Sequence, residues 1–210
     1  MTKALSLFDE RLQERVRAAR LRLTSEEAGR FERYFRLLSR WNSKINLTAL
    51  PLKGFPAATL DRLFVEPLIA AELVDDRSAF WFDLGSGGGS PAMPLSIVRP
   101  LLHLTMVDSV SKKTAFLREA AREAGLSDAR VLTSRIEELT PAHAGVVDLI
   151  TIRAVRFDER LAEAMRRLLK PGGRLLRFGP AVEATPEGFE YRDRRALTRG
   201  GDSVTVFERV

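Results

Sequence analysis

The run Asp83-Leu84-Gly85-Ser86-Gly87-Gly88-Gly89-Ser90-Pro91 is where residue type and spacing most directly suggest chemistry. Its glycines let a backbone turn sharply and meet a ligand with no Cβ in the way. The apolar segment AFWFDL (79–84) leads into it, and Pro91 suits the first turn of a following helix, whose free N–H groups would face a ligand. A second apolar segment ends at Asp108, 23 residues after Gly85. A carboxylate at that point accepts hydrogen bonds from both hydroxyls of a ribose, so loop and acid together point to an adenosine-bearing ligand.

Two adenosine ligands compete. The dinucleotide pattern G-x-G-x-x-G needs a third glycine where Ser90 stands. Asp83 would also set a negative charge against a pyrophosphate. S-adenosylmethionine brings a sulfonium and an ammonium instead, which an acidic neighbourhood suits. The methyl donor is the better match, with a dinucleotide site and a plain structural turn as the alternatives.

Other segments are less specific. Ser134-Arg135-Ile136-Glu137-Glu138 follows a third strand, where it either flanks an adenine or merely starts a surface helix. Arg153 ends a fourth strand at the edge where open α/β sheets bind ligands. It holds a phosphate or the methionine carboxylate there, or forms a strand-end ion pair. There is no G-x-S-x-G elbow, P-loop lysine or H-E-x-x-H. His103 and His143 read as structural. A chain with no obvious general base suits methyl transfer to a nitrogen that already has a lone pair, such as guanine N7, by holding donor and acceptor in line.

The elements that must position these residues change character near residue 76. Before it the spacing predicts helices over 4–23, from 24 or 25 to about 41, and over 57–74. Thr24 or Ser25 caps the second helix, with Glu26 and Glu27 in its first turn. WNSKINLT (41–48) is polar and leaves it. After residue 76 strands alternate with helices: strands at 79–84, 103–107, 129–133, 146–152 and 174–178, and helices at 111–125 and 157–170, the latter stopped by Pro171-Gly172-Gly173. Segments 189–193 and 203–209 form a closing hairpin. Alternation of this kind implies an α/β fold, a mostly parallel sheet with helices on both faces. The expected organisation is a helical segment, 1–75, packed on a Rossmann-like domain, 76–210.

Composition bounds the rest. The 210 residues suffice for one well-buried domain with a helical appendage. Cysteine is absent, which excludes disulfides and thiolate metal sites, and two histidines exclude a multi-histidine cluster, so no metal is expected. No apolar run approaches a membrane span and the N-terminal stretch lacks a signal-peptide core, so the expectation is a cytoplasmic protein with no membrane partner. The net charge is +6, from 28 arginines, 6 lysines and 28 acidic residues. Arginine's planar fork binds phosphate, which permits an RNA partner without requiring one.

Taken together, these residues resemble the RsmG/GidB methyltransferases, which make N7-methylguanosine in bacterial 16S ribosomal RNA. The likeness runs from Trp41-Asn42 with Ile45-Asn46-Leu47-Thr48 and Leu60-Asp61, through Asp83–Pro91, Pro94–Pro100, Asp108-Ser109 and Lys112-Lys113, to Ser134–Glu138, Arg153-Ala154 and Leu169–Gly173. It implies a class I S-adenosylmethionine-dependent fold, with the donor held by Asp83, Gly85, Gly87, Ser90, Asp108, Ser109, Ile136, Glu137 and Arg153. It also implies an acceptor side at Asn42, Lys44, Asn46, Asp61 and Arg153, and a monomer acting on 16S ribosomal RNA or the small subunit. The family usually carries Arg-His before I-L-D-S, Lys-Gly after the fifth strand and Arg-His opening the last strand. Here those places read Ala57-Ala58 before Thr59-Leu60-Asp61-Arg62, then Phe178-Gly179 and Asp202-Ser203. The donor side matches better than the acceptor side. A methyltransferase of another RNA or a small molecule, and a donor-binding RNA-interaction protein without catalysis, therefore stay open.

Overall fold

The computed structural model describes residues 6–182, 184–198 and 200–210, apart from the side chain of Thr140. Helix α1 (Leu7–Ala18) opens at Ser6, whose hydroxyl accepts the Asp9 N–H at 3.2 Å. It is shorter than its spacing suggests: Arg20 turns left-handed and the Leu21 N–H closes back on the Val16 carbonyl. Leu5, placed on this helix by its spacing, lies outside the described residues. Helix α2 (Ser25–Asn42) begins in a capping box in which Thr24 and Glu27 satisfy each other's backbone N–H. Helix α3 (Ala57–Leu60), a π-helical turn (Asp61–Val65) and α4 (Glu66–Ala71) run on without a break. The π turn has no counterpart in the sequence pattern.

The sheet consists of β1 (Ala79–Leu84), β2 (Leu102–Asp108), β3 (Arg130–Thr133), β4 (Val147–Arg153), β5 (Leu169–Pro180), β6 (Phe189–Ala196) and β7 (Asp202–Arg209). Its order is β3-β2-β1-β4-β5-β7-β6, with the first five strands parallel and the β7–β6 hairpin antiparallel. Helices α5 (Ala92–Val98), α6 (Ser111–Glu123), α7 (Thr140–His143) and α8 (Glu159–Leu168) complete the domain. Gly125, left-handed, follows α6 as a glycine terminator should. Helix α8 stops at Leu168, so Pro171-Gly172-Gly173 lie within an irregular start of β5 and not at a helix end.

Strand alternation divides the core in two. Trp81, Leu104, Met106, Leu149, Leu176 and Phe178 face one way and pack on α1 to α6. Phe82, Leu84, Val107, Ile150, Ile152 and Leu175 face the other way and pack on Leu161, Met165 and Leu168 of α8. Phe8, Phe31, Tyr34, Phe35 and Phe64 join the first core, so the N-terminal helices share a hydrophobic interior with the sheet. No helix among the described residues is long and apolar enough to cross a membrane.

Candidate active site

The carboxyl ends of β1 and β2 lie side by side because Leu84 is in register with Val107. The chain then turns through the glycine loop: the N–H groups of Gly85 and Ser86 both reach the Val107 carbonyl at 2.9 Å. Gly85 has φ +75°, and a Cβ there would stand 2.7 Å from Val155 Cγ2. At Gly88 a Cβ would stand 3.1 Å from the Leu47 carbonyl oxygen. The segment after α2 thus lies directly on the glycine loop.

That segment is shaped by Asn42. Its Oδ1 accepts the N–H groups of Leu47 and Thr48 at 2.9 Å, and its Nδ2 donates to the Thr48 carbonyl at 3.1 Å. Trp41 Nε1 donates to Glu119 on α6 at 2.9 Å. The buried Tyr34 hydroxyl donates to the Gly88 carbonyl at 2.6 Å, and burial pushes its pKa far above the usual tyrosine range. The W-N-x-x-I-N-L-T element therefore acts as a clamp on the glycine loop.

Two carboxylates stand at the loop's base. Asp83 is 1% exposed and faces Thr151, its register neighbour on β4. The Thr151 hydroxyl donates to Asp83 Oδ1 at 2.5 Å and accepts from Trp81 Nε1 at 2.9 Å. Burial pushes the Asp83 carboxyl up to about 6, with the Thr151 bond pulling the other way. Asp108 ends β2 where the spacing placed it. Its Oδ2 accepts the Gly87 N–H at 3.0 Å and its Oδ1 the Val110 N–H at 2.9 Å. Each oxygen keeps a lone pair beyond these bonds. The Ser134 N–H reaches the Asp108 carbonyl at 3.2 Å, which brings Ile136 and Glu137, on a short 3-10 turn, beside the end of β2. Ser109 is exposed at the same corner.

Arg153 ends β4 opposite Phe178, and its guanidinium lies 4.4 Å from that ring's centre. Nη1 donates to the Arg62 carbonyl at 2.7 Å and to Ser90 Oγ at 3.3 Å; Nη2 donates to Glu66 Oε2 at 2.8 Å; Nε is buried without a partner. Burial pushes its pKa down to about 9, with Glu66 opposing. Arg153 is thus an internal clamp between β4, the glycine loop and α4. Glu66, fully buried, also accepts from Arg62 Nη1 at 3.0 Å and Thr198 at 3.1 Å.

These elements enclose a cavity of about 470 Å³ lined by Leu47–Leu50, Gly85–Gly88, Ser90 and the basic residues Arg62, Lys113 and Arg153. Of the expected donor contacts, Gly85, Gly87, Ser90 and Arg153 line this cavity, and Asp83, Asp108, Ser109, Ile136 and Glu137 stand around the same sheet edge. The expected acceptor residues fare differently. Asn42 is occupied in its clamp. Asp61 is taken by Arg15, whose Nε and Nη2 each donate to it at 2.8 Å. Lys44 and Asn46 are exposed beyond the cavity's lining. Tyr34, Thr151, Glu66, Arg62 and Lys113 belong to this neighbourhood and were not singled out individually from the sequence. The Arg62–Glu66 pair, four apart on a helix, was the one local signal available.

Known proteins resemble this chain in sequence and in fold. The family model "rRNA small subunit methyltransferase G" matches residues 27–184. The ribosomal RNA small subunit methyltransferase G of Roseiflexus sp. (strain RS-1) is 36% identical over 93% of this chain and 82% of its own length. Its counterpart from Geotalea uraniireducens is 41% identical over 74% of this chain and 69% of its own. Among solved structures, TrmN from Thermus thermophilus superposes with a TM-score of 0.54 at 24% identity, covering 72% of this chain and 53% of that one. A SAM-dependent methyltransferase from Aquifex aeolicus gives 0.55 at 16% identity, covering 72% and 95%. The superpositions establish the fold as the Rossmann-like one of class I methyltransferases, and the sequence match establishes that the chain belongs to the GidB family, rRNA small subunit methyltransferase G.

Proposed function

We propose that the chain transfers the methyl group of S-adenosylmethionine to N7 of a guanosine in 16S ribosomal RNA of the small subunit. The observation that carries this reading is the cavity of about 470 Å³ built jointly by the glycine loop and the Asn42 clamp, in a chain of this family. The residues fit the donor. Gly85 leaves the loop without a side chain at its sharpest turn, Asp108 offers a carboxylate beside it, and Asp83 supplies a buried acid that is ionised above about 6. Asp83 with Gly85, Gly87 and Ser90 would hold the methionine end. Asp108 and Ser109 would hold the ribose, and Ile136 and Glu137 the adenine.

When bound, the donor supplies an electrophilic methyl group on a sulfonium. Guanine N7 has its own lone pair, so the protein's work is positioning more than proton removal. Arg153, through Ser90 and Glu66, fixes the loop against β4 and α4. The Asn42 clamp fixes its other side. A loop held between two clamps would serve to keep a bound donor and the incoming nitrogen in position.

The test is incubation with labelled donor and small subunits lacking the modification, beside calorimetry of donor binding. Label in small-subunit RNA is the expected result. Donor binding without label would move the acceptor to another RNA or a small molecule, or remove catalysis altogether.

A further inference from the structure

The π turn at Asp61–Val65 interrupts an otherwise continuous helix beside the glycine loop. Such turns are rare and cluster at functional sites. This one carries Arg62 to the lining of the cavity, where Arg153 and Lys113 are the other cations. The two arginines differ in availability. Arg153 has a side chain 7% exposed and donates only inward, whereas Arg62 is 21% exposed. Arg62 spends only its Nη1 end on the protein, at 3.0 Å to Glu66 and 3.3 Å to Asp202. Its Nε and Nη2 have no partner among the described residues, and neither is among the buried unpaired donors. Those two nitrogens form the side-on fork that binds carboxylate or phosphate in two parallel bonds. One end of the guanidinium is thus anchored by two carboxylates while its bidentate edge is free. An anchored fork loses little freedom on binding.

We propose that Arg62 binds a phosphate of the acceptor strand at the mouth of the cavity, with Asp202 as its anchor and competitor. The proposal rests on the reading that the acceptor is RNA. It also gives the chain an acceptor-side cation although Ala57-Ala58 and Asp202 stand where the family usually carries basic residues.

The experiment measures KM for undermethylated small subunits across a salt series, with donor affinity by calorimetry as the control for folding. For Arg62→Gln the expected results are KM for subunits raised about tenfold beyond any change in donor affinity, and a log–log salt slope shallower by roughly 0.7–0.9, the value of one phosphate contact. Arg62→Lys keeps the charge without the fork and should fall between. Asp202→Asn removes a negative charge that competes with phosphate and should lower KM. A purely structural Arg62 would instead make Arg62→Gln and Asp202→Asn lose activity together, with the salt slope unchanged; that pattern overturns the proposal, as does wild-type KM and slope in Arg62→Gln. Turnover of subunits by the wild type reports separately on the underlying function: if it is absent, that reading fails first and this one falls with it.

Discussion

Gly85 offers a test of why the glycine loop needs its glycine. From sequence, a side chain here would take up the ligand's space. The structure places a different atom first: a Cβ on Gly85 would stand 2.7 Å from Val155 Cγ2, on a backbone with φ +75°. Gly85→Ala therefore carries two costs. The left-handed backbone costs about 1–2 kcal/mol for a residue with a Cβ, and forcing a methyl group against Val155 costs about 1–3 kcal/mol. The sum, about 2–5 kcal/mol, is a large part of the ~5–15 kcal/mol that holds a domain together. Val155→Ala opens the space but leaves the backbone term. Combining the two should give a double variant more stable than the sum of the singles by about 1–3 kcal/mol. Denaturant unfolding of the four proteins measures that coupling, and calorimetry follows donor affinity in each. If the steric conflict lies within the protein, Val155→Ala restores donor affinity to Gly85→Ala. Additivity within about 0.5 kcal/mol, or affinity that stays lost in a stable double variant, would refute the reasoning and return the clash to the ligand.

Four further outcomes follow from the same geometry. The Asp83 carboxyl is raised by burial to about 6, so its contribution to stability is full below its unfolded value of about 3.9 and is lost as pH rises through about 6, an effect of about 3 kcal/mol; unfolding free energies from pH 4 to 7 should show that fall in the wild type relative to Asp83→Asn, and parallel curves would be the contrary result. Over the same window donor affinity should rise with pH, because a cationic ligand favours the ionised carboxyl, and Asp83→Asn should lack that rise. Asp108→Ala should weaken donor binding at least tenfold, since each charge-assisted bond to a ribose is worth roughly 1.5–3 kcal/mol; because Asp108 also holds the Gly87 and Val110 N–H groups, stability should drop too, and undiminished affinity in folded protein would remove Asp108 from the site. Arg33, Arg36 and Arg40 line a groove of about 700 Å³ with Lys53 and Phe55, and changing the three to glutamine should raise KM for subunits and flatten its salt dependence while leaving donor affinity alone; unchanged KM would make them a solvated helix face, tied down by the Arg36 bond to Glu32 and the Arg33 bond to the Glu123 carbonyl.

The fold was legible wherever its signal was local. β1 begins and ends where its apolar run does, and the Thr24–Glu27 box, the Gly125 terminator and the closing hairpin follow from short-range chemistry. The positions proposed for the donor were legible for the same reason, since Asp83, Gly85 and Asp108 sit at fixed offsets from strand ends. The acceptor side was not, because its contacts join residues far apart in sequence. Arg62 meets Asp202 across 140 positions and Arg15 meets Asp61 across 46. Asn42 and Asp61 stood out as polar residues at motif positions, but their partners, a backbone loop and Arg15, become visible only once the helices pack. The π turn is a one-residue irregularity in an amphipathic helix, which a 3.6-residue period does not register.

The central claim, methylation of guanine N7 in small-subunit ribosomal RNA, is tested most directly by mass spectrometry of nucleosides from that RNA. The comparison is between cells lacking this chain and the same cells expressing it. The account predicts 7-methylguanosine at a stoichiometric level only when the chain is present, and its loss again with Asp108→Ala. Equal 7-methylguanosine with and without the chain would contradict it.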